Sequence, residues 1–316
     1  MDAARFVEEA RRAIRDRVPP PERAVVAASG GIDSTVAALL ACQALGDRAQ
    51  VLFVDTGLLR EGEVPRVGRL FQAVNIPYRV IPASETFFSA LRGVVDPEEK
   101  RRVIGETFIR VFESEASRWS ARYLVQGTIA PDWIESGGSL RDTIKTHHNV
   151  GGLPSRMSLE LVEPIRDLYK DEVRQLARYL GLPESDRQPF PGPGLAVRVT
   201  GEVTPERVAL ARRAGAIVEE EVDQAVERGE IPRPWQYFAV LLPVRTVGVT
   251  GDVRTYGLAV SVRLVSSVDA MTATFSEVPP RLLRRISERI TRDLSGHVTR
   301  VLYDVTDKPP ATIEWE

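Results

Sequence analysis

The fold of this chain is decided by the stretch Val25-Val26-Ala27-Ala28-Ser29-Gly30-Gly31-Ile32-Asp33-Ser34, which an Ala- and Leu-rich run at 35–41 follows. The β-branched residues at its start predict a buried parallel strand, and the run after it predicts a helix. The two glycines allow a tight turn and a close approach of the backbone to a ligand. The N–H groups and the dipole at the start of the helix favour negative charge. The stretch predicts a phosphate-binding loop, with a plain Gly-rich turn as the alternative.

This loop differs from the two most familiar nucleotide loops. It lacks the Gly-Lys-Ser/Thr ending of a Walker loop and the third glycine of a dinucleotide fingerprint. Asp33 places a carboxylate beside the phosphates, where a divalent cation would balance its charge. The motif resembles the pyrophosphate loop of the N-type ATP pyrophosphatases, which cleave ATP between the α and β phosphates.

The composition indicates a globular protein of about two domains, since the chain has 316 residues. A net charge of −2 does not suggest a nucleic-acid partner or an anionic membrane surface. No apolar run approaches the roughly 20 residues of a membrane span, and the N-terminus lacks the apolar core of a signal peptide. The single cysteine excludes an internal disulfide and a cysteine-based zinc cluster. We therefore expect a cytoplasmic enzyme.

Three further apolar runs, at residues 50–55, 78–81 and 123–125, alternate with segments of helical periodicity. This order predicts a parallel sheet with helices on both faces, that is, a doubly wound α/β domain. An apolar run at 161–165 and a helix at 170–180 would complete it. Because ligands bind beyond the carboxyl ends of such strands, an adenosine is expected beside the phosphate loop at the end of the second strand.

A polar, Gly-punctuated region at about residues 130–161 predicts no regular element. It holds two adjacent histidines close to a lysine. Adjacent histidines cannot easily face one ion in a regular element, and their spacing matches no zinc signature. Long loops of this kind are typically functional or disordered. We favour a lid that closes over phosphates, with a plain surface loop as the alternative.

The Pro- and Gly-rich run at 188–194 excludes helix and central strand and predicts a domain boundary. The chain is therefore divided into an ATP-binding domain at 1–190 and a C-terminal α+β domain at 191–316. The elements predicted in the second domain are helices at 204–227 and 279–294 and strands at 236–244, 256–264 and 298–304. These strands are more apolar than two helices can cover, which favours self-association. The last ten residues mix apolar and charged side chains with two prolines, which favours a docked segment over a frayed end.

Six segments taken together resemble the synthetase portion of GMP synthase, and they lie at 29–34, 54–60, 126–128, 144–154, 189–195 and 308–316. The resemblance covers nearly the whole chain in one order. It implies an ATP pyrophosphatase domain with an adenine nucleotide alpha hydrolase-like fold, followed by a dimerisation and substrate-binding domain. It also implies a ligase that uses ATP and Mg²⁺ to adenylate the O2 oxygen of xanthosine 5′-monophosphate (XMP) with release of pyrophosphate. Ammonia then displaces AMP to give GMP.

The resemblance also implies roles for individual residues. The contacts to phosphates and adenosine would be made by Ser29, Gly30, Gly31, Ser34, Val54 and Gly127. Asp33 would bind Mg²⁺. The catalytic set of the lid would be Lys145, His147, His148 and Asn149, with Asp132 and Glu135 placing the lid and the metal. The nucleotide substrate would be contacted by Arg101, Gln236, Lys308 and Glu314.

Two positions depart from the pattern of this family, Ala28 where leucine is usual and Gln188 where histidine is usual. The first is a packing change, and the second puts a role for that histidine in doubt. Many GMP synthases begin with a glutaminase domain that carries a Cys–His–Glu triad, whereas this sequence starts one helix before the phosphate loop. We therefore expect a separate glutaminase subunit or free ammonia. A homodimer is expected as well, from the apolar strands of the second domain.

Three rival assignments stay open. NAD synthetase is a further N-type ATP pyrophosphatase, but it would not explain the C-terminal segment. A tRNA-thiolating enzyme normally needs catalytic cysteines and a basic surface. A non-catalytic nucleotide-binding subunit would have no need of Asp33, Lys145 and the paired histidines.

Overall fold

The computed structural model describes residues 2–130, 158–183, 187–268 and 270–316, which form two compact units. The first unit comprises Met1–Gly57, Gly62–Ala90 and Arg101–Asp186, and the second comprises Leu58–Glu61, Leu91–Lys100 and Arg187–Glu316. The expected division at residue 190 stays a prediction.

The first unit is built on five parallel strands. They are β1 (Ala24–Ala27), β2 (Ala49–Asp55), β3 (Tyr78–Pro82), β4 (Tyr123–Val125) and β5 (Glu160–Val162). Their order in the sheet is β3-β2-β1-β4-β5, so the chain runs outward from β1 and then returns to its other side. This topology confirms the doubly wound α/β class. The strand order reverses beside β1, which puts the end of β1 where ligands bind in such sheets.

Between residues 2 and 183, the described residues form six α-helices. They are α1 (Ala3–Arg17), α2 (Ile32–Leu45), α3 (Glu63–Ala73), α4 (Ser84–Leu91), α5 (Pro97–Arg118) and α6 (Lys170–Tyr179). α2 is buried continuously from Thr35 to Ala41, which explains its run of alanine and leucine without an amphipathic period. α2 follows β1 directly, so the rigid core of the unit holds the loop between them.

The second unit contains an antiparallel hairpin of β6 (Gln236–Thr250) and β7 (Val253–Ser266). The short strand β8 (Thr274–Phe275) pairs antiparallel with β7, and β9 (Val298–Tyr303) pairs parallel with β7. Two helices, α7 (Pro205–Glu227) and α8 (Pro280–Asp293), belong to the same unit. β8 was not predicted, because two residues are too few to form a pattern.

The two long strands of this hairpin extend beyond the predicted ranges 236–244 and 256–264. The first predicted strand includes Pro243 and ends one residue after it, although proline usually interrupts a ladder. The structure instead shifts the pairing register between Leu241 and Arg245, and the hairpin continues to a two-residue turn at Gly251 and Asp252. A bulge thus absorbs the proline without ending the strand.

Among the described residues, no helix is both long enough and apolar enough to cross a membrane.

Candidate active site

The loop between β1 and α2 is held by its own hydroxyl groups. The backbone N–H of Ser29 donates to Ser34 Oγ at 3.1 Å, and the two hydroxyl oxygens lie 3.0 Å apart. Gly30 has φ +77°, and a Cβ there would lie 2.4 Å from a methyl group of Val67. Gly31 is the N-cap of α2 and supplies no side-chain hydrogen bond. The helix therefore begins with N–H groups that an anion can bind.

The two carboxylate oxygens of Asp33, in the first turn of α2, have different surroundings. Oδ2 accepts a hydrogen bond from Lys170 Nζ at 2.5 Å, and Lys170 is the first residue of α6. Oδ1 is buried and has no hydrogen-bond partner among the described residues. A buried carboxylate oxygen without a partner is unfavourable, and a divalent cation is a ligand that would satisfy it.

Lys170 is a charged residue of this site that the sequence reasoning missed. It lies 137 positions from Asp33 in sequence, at the start of an ordinary amphipathic helix. No local pattern distinguishes it from a solvated lysine. Only the sheet topology, which brings α6 back beside the phosphate loop, could have identified it.

Gly127 lies two residues beyond β4, directly against the start of α2. A Cβ at this position would lie 2.7 Å from the Ser34 Cα and N atoms and 2.8 Å from the Asp33 carbonyl carbon. These are backbone atoms, which cannot move aside as a flexible side chain can. The close packing explains why a glycine follows β4 and supports its expected place beside the nucleotide.

We expect Gly127→Ala to weaken ATP binding by about tenfold or more, because the added methyl group must push the phosphate loop away from β4. Calorimetric titration with ATP measures this, and thermal unfolding reports the accompanying loss of stability. Gly215→Ala is the matched control, since a Cβ at that helical glycine meets no atom within 4 Å. Equal ATP affinity in both variants would contradict the assignment of Gly127.

Val54 is the residue expected to seat the adenosine through its backbone. It lies next to the last residue of β2 and is buried. The turn that follows is fixed by Asp55, whose Oδ1 accepts a hydrogen bond from the Gly57 N–H at 3.0 Å. Because β1 and β2 pair in parallel, the carboxyl end of β2 lies beside that of β1.

The expected catalytic set of the lid falls outside the described residues. It comprises Asp132, Glu135, Lys145, His147, His148 and Asn149, and their roles stay predictions. Within the described ranges, no group of three or more His, Cys, Asp or Glu side chains is arranged to hold a metal ion.

Two of the four residues expected to contact the nucleotide substrate lie together in the second unit. Gln236 Nε2 donates to Glu314 Oε1 at 2.9 Å. Lys308 has a different partner, since its Nζ donates to the carbonyl of Ala270 at 2.8 Å. Arg101 is a partly buried residue of α5 and belongs to the first unit.

The C-terminal segment is docked in the second unit, as predicted. Arg263, fully buried, donates to the carbonyls of Ile313 and Thr312, each at 2.9 Å. Arg198 forms a bidentate pair with Glu314, with nitrogen–oxygen distances of 3.0 and 2.7 Å. Buried cations thus hold the segment by both its backbone and its acidic side chains.

Residues 100–102 are a run of three basic side chains in α5, and their surroundings differ. Lys100 is fully buried and pairs with Glu316, and burial lowers the pKa of its ammonium group while the carboxylate counteracts that shift. Arg102 is half exposed and pairs with Glu106 one helical turn away. A count of basic residues cannot separate these cases, because the partner of Lys100 lies at the far end of the chain.

Cys42 is a partly buried residue of α2. Burial raises the pKa of its thiol to about 11, so the thiolate is scarce at neutral pH.

The comparison with known proteins bears on the whole chain. The model of the GMP synthase C terminal domain matches residues 221–315. A Pyrococcus horikoshii protein, named as a subunit of GMP synthase (glutamine-hydrolyzing), is 57% identical over 321 residues, and the alignment covers 100% of both chains. A Thermoplasma acidophilum protein of the same name is 55% identical over 316 residues, again with 100% of both chains covered. The chain belongs to this family of GMP synthase subunits.

This membership confirms the expected family and the expected class of enzyme, an ATP-using ligase of GMP synthesis. A Thermomicrobium roseum protein named GMP synthase (glutamine-hydrolyzing) is 54% identical over 322 residues, which cover 99% of this chain and 60% of that protein. Within the family, sequences of this length therefore occur both alone and as part of a longer chain.

Gln188 stands where the GMP synthase family is expected to carry histidine. Its buried side chain links Tyr237 and Glu219 of the second unit by hydrogen bonds. Its Oε1 accepts from the N–H of Tyr237 at 2.7 Å, and its Nε2 donates to Glu219 Oε1 at 3.1 Å. Burial raises the pKa of Glu219, while Arg60 opposes that shift. One neutral amide therefore supplies both the acceptor and the donor that these two neighbours need.

We expect Gln188→Leu to lower the free energy of unfolding by about 1–3 kcal/mol, because the Tyr237 N–H loses the acceptor, and the Glu219 carboxylate loses one donor, that Gln188 supplies. Urea unfolding measures the change. Gln188→His is the matched control, since an imidazole nitrogen can still accept from Tyr237, and it should cost less. Equal stability of the leucine variant and the parent would contradict this role.

Proposed function

We propose that this chain carries out both chemical steps of GMP formation from XMP, ATP and ammonia. In the first, the O2 oxygen of XMP attacks the α-phosphorus of ATP, and the bond from that phosphorus to the bridging oxygen breaks to release pyrophosphate. In the second, ammonia adds at C2, the bond from C2 to O2 breaks, and AMP leaves with that oxygen as a proton is lost from nitrogen. The observation that carries the proposal is the phosphate loop with its glycines, hydroxyls and Asp33 in a chain of this family.

The loop residues stabilise the charge that develops on the departing pyrophosphate. The N–H groups at the start of α2 and the hydroxyls of Ser29 and Ser34 are fixed before the reaction, so they need no reorganisation as charge develops. Lys170 adds a positive charge next to Asp33. Gly30, Gly31 and Gly127 leave room for the phosphates, and the Val54 backbone seats the adenosine.

The residues present fit a bound Mg²⁺. The fit rests on the buried Oδ1 of Asp33, which has no hydrogen-bond partner among the described residues. Mg²⁺ is usually held by one or two carboxylates together with substrate phosphates and water, so the Asp33 carboxylate suits it as a protein ligand. When bound, the ion would neutralise charge on the phosphates. In this proposal Asp33 supplies its protein ligand.

Recognition of XMP falls to Gln236, Glu314, Lys308 and Arg101. The contact between Gln236 and Glu314 supports a shared role for these two side chains. A carboxylate accepts hydrogen bonds from hydroxyl or N–H groups of a nucleotide, and the two cations suit its phosphate. Lys145, His147, His148 and Asn149 are proposed as the lid's catalytic set, with Asp132 and Glu135 placing lid and metal.

The nitrogen source is proposed to be ammonia from a separate glutaminase subunit. The support is that relatives aligned over their full length are named as one subunit of a glutamine-hydrolyzing enzyme. The division into an ATP pyrophosphatase domain at 1–190 and a dimerisation and substrate-binding domain at 191–316 is part of the same proposal, as is a cytoplasmic location without nucleic-acid or membrane partners.

A homodimer is proposed to form through the outer part of the β6–β7 hairpin. Val249, Val253 and Tyr256 are exposed by 73%, 67% and 58%, and Val244 and Val247 by 55% and 48%. An apolar surface of this kind on a soluble unit is typical of an interface. Val247, Val249 and Tyr256 lie on one face of the hairpin, because Val247 pairs with Tyr256 and successive side chains alternate between faces. A second copy would cover this face in a symmetric dimer.

We expect Val249→Asp to shift the protein from dimer to monomer, since it would bury a charge in that interface. Sedimentation velocity of the full chain measures the change. Val268→Asp is the control, because Val268 is 99% exposed and lies outside the hairpin. Unchanged sedimentation of the Val249 variant would contradict a dimer through this surface.

The rival assignments are separated by the acceptor that triggers pyrophosphate release. We expect release from ATP with XMP and ammonium, and none with nicotinic acid adenine dinucleotide. Release with the dinucleotide alone would indicate NAD synthetase. Absence of release with either acceptor would indicate a non-catalytic nucleotide-binding subunit.

A further inference from the structure

The Glu314 carboxylate accepts three hydrogen bonds from two buried side chains, Arg198 and Gln236. Its Oε1 accepts from Arg198 at 2.7 Å and from Gln236 at 2.9 Å, while its Oε2 accepts from Arg198 Nε at 3.0 Å. Each carboxylate oxygen can accept about two hydrogen bonds. Within the described residues, Oε2 therefore keeps one acceptor position, and the side chain stays 18% exposed.

Arg198 is itself held in place by two aromatic rings. Its guanidinium carbon lies 4.2 Å from the ring centroid of Phe238 and 5.2 Å from that of Phe190. The residue is 2% exposed. Stacking against rings fixes the plane of a guanidinium, and a planar fork then fixes the plane of the carboxylate that it binds.

Two other buried cations, Arg263 and Lys100, bind the C-terminal segment at other atoms. Arg263 binds the segment by the backbone carbonyls of Ile313 and Thr312. Lys100 binds Glu316, which also accepts from the Gly201 N–H at 3.1 Å. Both dock the segment, but neither touches the side chain of Glu314 in the described structure.

We propose that Arg198 is a positioning residue for substrate recognition. It sets the orientation of the Glu314 carboxylate so that the open acceptor position on Oε2 can take a hydrogen bond from the nucleotide substrate. The inference rests on the proposed role of Glu314 and extends it to a buried residue that does not itself touch the substrate.

The test uses Arg198→Lys in the full chain, because lysine keeps the charge and loses the fork. We expect the KM for XMP in ammonium-dependent GMP formation to rise about tenfold, with the KM for ATP unchanged. Lys100→Met is the control that weakens docking without touching Glu314, and its KM for XMP should change by less than about threefold. An equal rise in both variants, or an equal rise in the KM for ATP, would overturn the proposal.

A double-mutant cycle with Glu314→Gln separates this inference from the proposed function. If Glu314→Gln raises the KM for XMP and Arg198→Lys adds nothing in that background, Arg198 acts through Glu314. If the two effects multiply in full, the proposal is overturned although Glu314 still recognises XMP. If Glu314→Gln leaves the KM unchanged while GMP is still formed, the substrate role of Glu314 fails and the positioning role fails with it.

A second variant covers the case in which Arg198→Lys does not fold. Phe190→Leu removes one ring from beside Arg198, changes no charge, and affects a residue that is only partly buried. We expect a smaller rise, about threefold, in the KM for XMP alone. No change in that KM in a stable Phe190→Leu variant would count against the proposal.

Discussion

A chain that ends at Asp307 is expected to lose the fold of its second unit. The deletion removes the carboxylates of Glu314 and Glu316 from Arg198 and Lys100, and it removes backbone acceptors from Arg263. All three cations are at most 2% exposed. Breaking one buried ion pair costs about 3–5 kcal/mol, and whole domains are stable by only about 5–15 kcal/mol. Two such losses leave little net stability.

Urea unfolding of the truncated and full-length chains measures this effect. We expect part of the truncated chain to unfold at a much lower urea concentration than the full-length chain, or to be unfolded already without urea. Lys308→Met is the matched control, because it alters the same segment but removes only one contact to the Ala270 carbonyl. If the truncated chain unfolds at the same midpoint urea concentration as the full-length chain, the C-terminal segment does not stabilise the second unit and the prediction is wrong.

Asp33→Asn is expected to reduce pyrophosphate formation about a hundredfold or more, the scale of removing one fixed electrostatic group at developing charge. Asparagine has nearly the same shape, so the fold should persist. Its amide oxygen is a poor ligand for Mg²⁺ compared with a carboxylate. Steady-state release of pyrophosphate at several Mg²⁺ concentrations measures the loss, with thermal unfolding as the check on folding.

The ion pair with Lys170 offers a competing explanation, in which Asp33 serves only to hold that lysine. Lys170→Met distinguishes the two. If Asp33 binds the cation, the Asp33→Asn loss exceeds that of Lys170→Met, and the double variant is worse than either. Equal losses in both single variants and in the double variant would contradict a metal role for Asp33.

The parts of this molecule that sequence predicted best are those with a local cause. The strand, glycines and helix around Gly30 are adjacent in the chain, so one stretch predicts the loop and its geometry. The docking of the C-terminal segment was likewise predictable from its own composition. Pro243 shows the limit of such rules, since the register shift beside it is set by the pairing of the whole hairpin.

The residues that sequence did not predict are those whose partner lies far along the chain. Lys170 and Asp33, Lys100 and Glu316, and Arg198 and Glu314 are separated by 137, 216 and 116 positions. A buried cation and a solvated one look alike when only neighbours in sequence are visible. Resemblance to a family supplied Glu314, but only the structure supplied the arginine that orients it.

The central claim, adenylation of XMP at O2, is tested most directly by the fate of that oxygen. XMP labelled with ¹⁸O at O2 is converted by the purified chain with ATP, Mg²⁺ and ammonium, and the products are analysed by mass spectrometry. We predict that the label appears in the phosphate of AMP and is absent from GMP and pyrophosphate, because the O2–C2 bond breaks after O2 has bonded to the α-phosphorus. Label released into water, or found in pyrophosphate, would contradict the account.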